Sequence, residues 1–219
     1  MSSRIENISQ RSKKQILERL KRAYKIPEFE RKPSIDPVVH IQRSGEMLEE
    51  MKRKMTDNKY IVEECENGEL ENKINEIVRG YGYQKMIYSE SLGLDLDKIE
   101  ATQKVCFNQE IENLRAEVFH SDFSIVHARV GVSSHGVALV HSSKAQPRML
   151  SLAPTLCIML LKRENIVGSL AEALNLVKAE NDVLPSNILF IAGPSRTADI
   201  ELITVFGVHG SQKVHIILY

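Results

Sequence analysis

Residues 187–219 read NILFIAGPSRTADIELITVFGVHGSQKVHIILY. An apolar strand, Asn187–Ala192, runs straight into Gly193-Pro194-Ser195-Arg196-Thr197-Ala198-Asp199, and Ser195 or Thr197 is placed to cap a following helix. The last strand is expected at Lys213–Tyr219, and the 20 residues 193–212 suffice for a parallel crossover containing a short helix. Strand, turn, helix and strand in that order argue for an α/β fold.

Reading upstream, the same alternation continues. Thr155–Leu161 is apolar throughout, as a central strand is, and Ser169 caps a helix whose Leu170, Leu174 and Val177 are expected to face inward. Ser124–Val140 holds two β-rich stretches around Ser133-Ser134-His135-Gly136, which predicts a hairpin or meander on the same sheet. Further back come a helix over Gln109–Phe119 with Ile111, Leu114 and Val118 on one side, and a strand at Gln84–Tyr88. Leu70, Ile74, Ile77 and Val78 repeat at helical spacing with Gly80 and Gly82 as the stop; Lys59–Cys65 is a short strand, and Met47, Leu48, Met51 and Met55 share a helix face. The fold class is therefore α/β, with a central, mainly parallel sheet flanked by helices.

Pro27, Pro33 and Pro37 interrupt both patterns, which divides the chain into a basic amphipathic helix over residues 1–26, a linker over 27–40 and one domain over 41–219. Residues 1–32 carry ten Lys/Arg against four Asp/Glu, but Ile5, Ile8, Ile16, Leu17, Leu20 and Tyr24 form a partial apolar face, and the whole chain has zero formal net charge. That balance argues against a nucleic-acid binder. The longest apolar run, around Leu156–Leu161, falls far short of a membrane span, and no apolar segment follows the basic N-terminus, so the cytoplasm is the expected compartment.

Cys65, Cys106 and Cys157 lie far apart, with no Cys-x-x-Cys run, so no disulfide framework and no cofactor are expected in this chain. The seven histidines follow no metal-ligand spacing, and no metal site is expected. Nucleotide-binding and serine-hydrolase motifs are missing as well.

The candidate site is a ligand seat for an anion, formed by Gly193, Ser195, Arg196, Thr197 and Asp199 with His209 and Gly210. A strand-to-helix loop at the carboxyl edge of a sheet offers unpaired N–H groups, and Arg196 beside them suits a carboxylate or phosphate. Gly-Pro-Ser is also ordinary turn chemistry, and Asp199 in a first helical turn is favoured by the helix dipole without any ligand. His209 between Gly207-Val208 and Gly210 suits an acid/base group or an anion donor, and equally a structural turn. Ser133, Ser134, His135 and Gly136 form a second candidate loop.

Gly193-Pro194-Ser195-Arg196-Thr197-Ala198-Asp199-Ile200-Glu201 followed by Gly207-Val208-His209-Gly210 resembles the C-terminal signature of the LUD-domain family, the LutC/YkgG type of lactate-utilisation protein. Asp122-Phe123-Ser124-Ile125 and Leu150-Ser151-Leu152-Ala153-Pro154 fit the family pattern too, so the resemblance covers about residues 40–219. It implies the fold of ribose-phosphate isomerases, CoA transferases and formyltetrahydrofolate cyclo-ligases (the NagB/RpiA/CoA transferase-like fold). It also implies a part in oxidising L-lactate to pyruvate beside partner subunits that hold iron–sulfur clusters, with a small carboxylate or other anion as candidate ligand. No catalytic residue follows from it, and an accessory role is expected. Ser211 stands where relatives often have Pro, and Val132-Ser133-Ser134-His135-Gly136-Val137 stands where many carry Ile-Ala-Glu-Thr-Gly-Thr, so the acidic residue is missing. The alternative is a stand-alone enzyme of the same fold acting on a phosphorylated or acyl substrate, for which the fold alone is weak support.

Overall fold

The computed structural model describes residues 2–23, 45–197, 205–207 and 209–219. The chain divides into residues 1–38 and 39–219. In the first unit α1 (Ser2–Ala23) is a helix, with Ile16, Leu17 and Leu20 exposed along it. The expected linker, 27–40, lies outside the described residues.

The second unit runs α2 (Met47–Asp57), β1 (Ile61–Glu64), α3 (Leu70–Tyr81), β2 (Lys85–Tyr88), β3 (Gln103–Cys106), α4 (Arg115–His120), β4 (Phe123–His127), β5 (Val130–Val132) and β6 (Val137–His141). It continues with β7 (Leu156–Leu161), β8 (Ile166–Val167), α5 (Leu170–Glu180), β9 (Ile188–Ile191), β10 (Arg196–Thr197), β11 (Val205–Phe206) and β12 (Lys213–Leu218). Six of these strands form one all-parallel sheet in the order β1-β12-β7-β4-β2-β3.

Strand alternation assigns each face of this sheet its partners. Cys157, Met159 and Leu161 of β7 and Val214, Ile216 and Leu218 of β12 pack with Met51 and Met55 of α2. Leu156, Ile158 and Leu160 of β7 and Ile217 of β12 pack with Ile74 and Val78 of α3. Both faces being covered, every β7 side chain is buried, as its unbroken apolar run requires. α3 ends at Gly82, whose φ of 68° is the left-handed closure that favours glycine; Gly80 lies inside the helix.

Three expectations change at the second sheet, β8-β5-β6-β9. The β5–β6 hairpin around Ser133–Gly136 is formed, but it leaves the parallel sheet instead of continuing it. Gly131 makes this departure sterically possible: a Cβ there would lie 2.7 Å from both Leu161 Cδ2 and Met51 Sδ. Asn187–Ala192 was expected as a buried strand of the main sheet; β9 is instead half-buried at an edge, antiparallel to β6. Residues 193–212 therefore join two different sheets and make no parallel crossover. The outer face of the second sheet packs Val130, Val132 and Leu139 on Ala173 and Val177 of α5.

Helix α5 has the expected cap, Ser169 Oγ accepting from Glu172 N at 3.2 Å, with the Glu172 carboxylate accepting from Gly168 N at 3.0 Å. Its buried residues are Ala173 and Val177, while Leu174 is exposed. α4 is shorter than the Gln109–Phe119 expected, because 111–114 form a turn before it. The edge strand β3 has no counterpart in the sequence reading. Among the described residues no helix is long and apolar enough to cross a membrane.

Candidate functional site

The C-terminal signature begins where β9 ends. Gly193 has a φ of 83°, and a Cβ on it would come 2.0 Å from the Asn58 carbonyl oxygen. Only glycine fits this crossing over the C-terminal turn of α2. Beyond buried Pro194, Ser195 N donates to Ser211 O at 2.9 Å and Gly207 N donates to Ser195 O at 2.8 Å, which locks the two halves of the signature together. Arg196 and Thr197 pair antiparallel with Phe206 and Val205, so their N–H and C=O groups serve a β-ribbon. The helix expected after Ser195 or Thr197 falls on residues 198–204, outside the described residues.

Gly193, Ser195, His209 and Gly210 line one cleft of about 250 Å³, together with Ser151 and Ser211. Arg196 stays exposed and turns back, its Nη2 donating to Ala192 O at 3.0 Å. Asp199 lies outside the described residues. The Ser211 hydroxyl is buried in the cleft wall and has no hydrogen-bond partner among the described residues. A buried hydroxyl left in that state costs about 1–3 kcal/mol, so it is a ready partner for a polar ligand.

The cleft also lies at the opposite edge from the one expected. Ser151 precedes β7 and Ser211 precedes β12, and Gln212 N and Lys213 N both donate to Thr155 O, so the site sits at the amino ends of the parallel strands. The reason is the change of sheet: β9 runs antiparallel to β6, so the loop following it does not emerge at the parallel sheet's carboxyl edge.

The second candidate loop is tied down from α2. Lys54 Nζ donates to Ser134 O and to Glu50 Oε1, both at 2.8 Å, and Ser134 Oγ lies 2.8 Å from His135 Nδ1. Asn58 Nδ2 donates to both His135 O and Gly136 O at 2.9 Å. Gly136 has a φ of 60°, and a Cβ on it would meet the Lys54 backbone carbon at 2.5 Å. Asn58 thus holds one candidate loop with its side-chain amide and supports the other at Gly193 with its backbone carbonyl. The sequence reading assigned α2 only a Met face and missed the Glu50–Lys54 pair and Asn58.

Below these loops Tyr60 Oη donates to Ile191 O at 2.6 Å, and burial raises its phenol well above the ordinary range. Burial likewise pushes the Cys157 thiol up to about 12. His215, 4% exposed, is held down to about 4 by burial first and by Lys213 second, with Tyr81 Oη 2.8 Å from its Nε2. None of the three lines the signature cleft. The carboxyl edge of the parallel sheet is lined by a different set, His127, Arg129, His141 and Lys162, which no motif marks.

Comparison with known proteins agrees with this architecture. A solved structure of a DUF162 family protein from Deinococcus radiodurans superposes with a TM-score of 0.58 at 18% identity, covering 78% of this chain and 95% of that one. The lactate utilization protein C of Bacillus licheniformis is 36% identical over 106 residues, 47% of this chain and 43% of that protein. The protein of the same name from Halalkalibacterium halodurans is 27% identical over 194 residues, 85% of this chain and 84% of that one. The first relatives matched are spanned over about half their length or less. The LUD domain model matches residues 48–219, which takes in all twelve strands of the described residues and both candidate loops, and the chain belongs to the LUD domain family.

Proposed function

We propose that this chain serves L-lactate utilisation, the oxidation of L-lactate to pyruvate, as a component working beside partner subunits that hold iron–sulfur clusters. The observation that carries the reading is the similarity to proteins named lactate utilization protein C, one of them matched over 84% of its length. The placement of the cysteines supports clusters being held elsewhere. Cys65 follows β1 at one edge of the six-stranded sheet and Cys106 ends β3 at the other, with Cys157 on β7 between them. Strands spaced about 4.8 Å apart put the two edge thiols roughly 24 Å from each other, and thiolates so placed cannot close on one cluster. The part assigned to this chain is recognition: Ser195, His209 and Ser211 in the signature cleft offer hydroxyl and imidazole donors to a small carboxylate or other anion.

Removing the gene from its host and following growth on L-lactate as sole carbon source tests the role. Growth on lactate should fail, growth on glucose should not, and the full chain supplied in trans should restore it. The tagged chain, purified anaerobically from that host, should bring down iron and sulfide with its partners. Undiminished growth on lactate without the gene would remove the reading.

A further inference from the structure

We propose that the carboxyl edge of the parallel sheet holds a second binding site, separate from the signature cleft and specific for a small monocarboxylate. The sheet order places it. From the gap between β2 and β4 the connections diverge: β2 leads to β3 at one edge, while the strands after β4 in this sheet, β7 and β12, lie toward the other. Where successive strands part in this way, the loops after them leave a crevice at the carboxyl ends, and this is where open α/β sheets bind ligands.

A cleft of about 260 Å³ occupies that crevice. Its floor is built from the residues that end the strands: Ser91 beyond β2, His127 of β4, Lys162 after β7 and Tyr219 after β12. Arg129, leading into β5, and His141, ending β6, form the facing wall. The rim is built as well. Gln146 accepts from His127 N at 2.8 Å and donates to His127 O at 3.1 Å, so its side chain continues the hydrogen bonding of the strand. Ser143 Oγ accepts from Gln146 N at 2.9 Å and closes the turn.

The chemistry of the lining selects the ligand. Among the described lining residues there is no Asp or Glu, and the donors are an ammonium, a guanidinium, the His141 imidazole, hydroxyls and amides. Leu92 O can only accept, so the 2.8 Å contact to His127 Nε2 puts the neutral imidazole's proton on that nitrogen. His141 Nδ1 is buried with no hydrogen-bond partner among the described residues.

Arg129 is committed to a two-pronged ion pair with Glu180 of α5, and Lys162 meets Glu164 at 3.8 Å in an exposed pair. Pairs of the second kind hold little energy, which leaves the Lys162 ammonium free to turn to a ligand. With Arg129 held by Glu180, Lys162 is the one lining cation among the described residues left to meet a ligand, which suits a single negative charge better than a phosphate dianion. Hydroxyl and amide donors around that charge fit an oxygen next to the carboxylate. This inference rests on the cleft's own geometry and not on the proposed pathway role.

Titrating the ¹⁵N-histidine-labelled full chain with pyruvate, L-lactate and inorganic phosphate separately, at fixed ionic strength, tests it. Pyruvate or L-lactate should shift the His127 and His141 imidazole signals saturably and leave His120, exposed on α4, unmoved. By calorimetry Lys162→Ala should weaken that binding about tenfold to a hundredfold with an unchanged melting temperature, and Lys162→Arg should retain most of it. The proposal is overturned if neither carboxylate moves the two imidazoles at millimolar concentration, or if Lys162→Ala binds like the parent. It is equally overturned if phosphate binds more tightly than both carboxylates. Growth on lactate is no part of this readout, so its failure leaves the proposed role standing.

Discussion

Replacing Gly193 by alanine tests the claim that the signature loop is shaped by its crossing over α2. Two costs add. At a φ of 83° an L-residue sits in the left-handed region, for roughly 1–2 kcal/mol. The new Cβ would also lie 2.0 Å from Asn58 O, an overlap that only backbone movement relieves. Moving Asn58 disturbs the two bonds from its amide to His135 O and Gly136 O, each worth about 0.5–1.5 kcal/mol. The total is about 2–5 kcal/mol, or roughly 4–20 °C in melting temperature for a domain of this size. Gly93 is the control: its φ is 69° but nothing lies within 4 Å of its would-be Cβ, so Gly93→Ala should show the conformational cost alone, about 1–2 kcal/mol. Urea and thermal unfolding of both variants measure the difference directly. If Gly193→Ala unfolds at the same midpoint as Gly93→Ala, the contact with Asn58 does not shape the loop and the reasoning fails.

His215 supplies a pH dependence. Its folded pKa, about 4, lies below the ordinary value of 6.5, so the folded state binds fewer protons; stability is full above pH 6.5 and falls as pH drops toward 4, by up to about 3 kcal/mol. Urea midpoints of the parent should follow that slope and those of His215→Gln should be flatter; parallel slopes would show that another group is responsible. Arg196→Ala removes an exposed guanidinium that, among the described residues, donates to the Ala192 carbonyl, so unfolding should change by no more than about 0.5 kcal/mol. A larger loss would make Arg196 a structural brace. In thiol titration of the native protein Cys106 should react while fully buried Cys157 stays silent until unfolding, and early labelling of Cys157 would contradict its place in the sheet.

The parts of the fold legible in the sequence are those where burial is two-sided or strictly periodic. Leu156–Leu161 reads as a central strand because both of its faces are covered, and Ser169 reads as a helix start because its hydroxyl meets the Glu172 N–H locally. β3 escaped notice because Gln103-Lys104-Val105-Cys106, paired on one side only, has neither pattern. Sheet membership escaped for a different reason: the alternation of β5 and β6 would be the same in either sheet, and what separates them is the approach of Gly131 to Met51, 80 positions away. The apolar run of Asn187–Ala192 suggested a central strand because it is unbroken, but an edge strand beside a hairpin can hold the same residues half-buried. That error placed the candidate site at the carboxyl edge, whereas it lies at the amino edge, since the direction of a loop depends on the sheet its strand belongs to. Motif and mechanism therefore separate here. Gly193 and Gly136 are visible as turn glycines, but the cause of both is the C-terminal end of α2, where Asn58 and Lys54 lie more than 70 positions earlier. The carboxyl-edge histidines have no motif at all, because His127 and His141 are joined only by the order in which the strands are laid down.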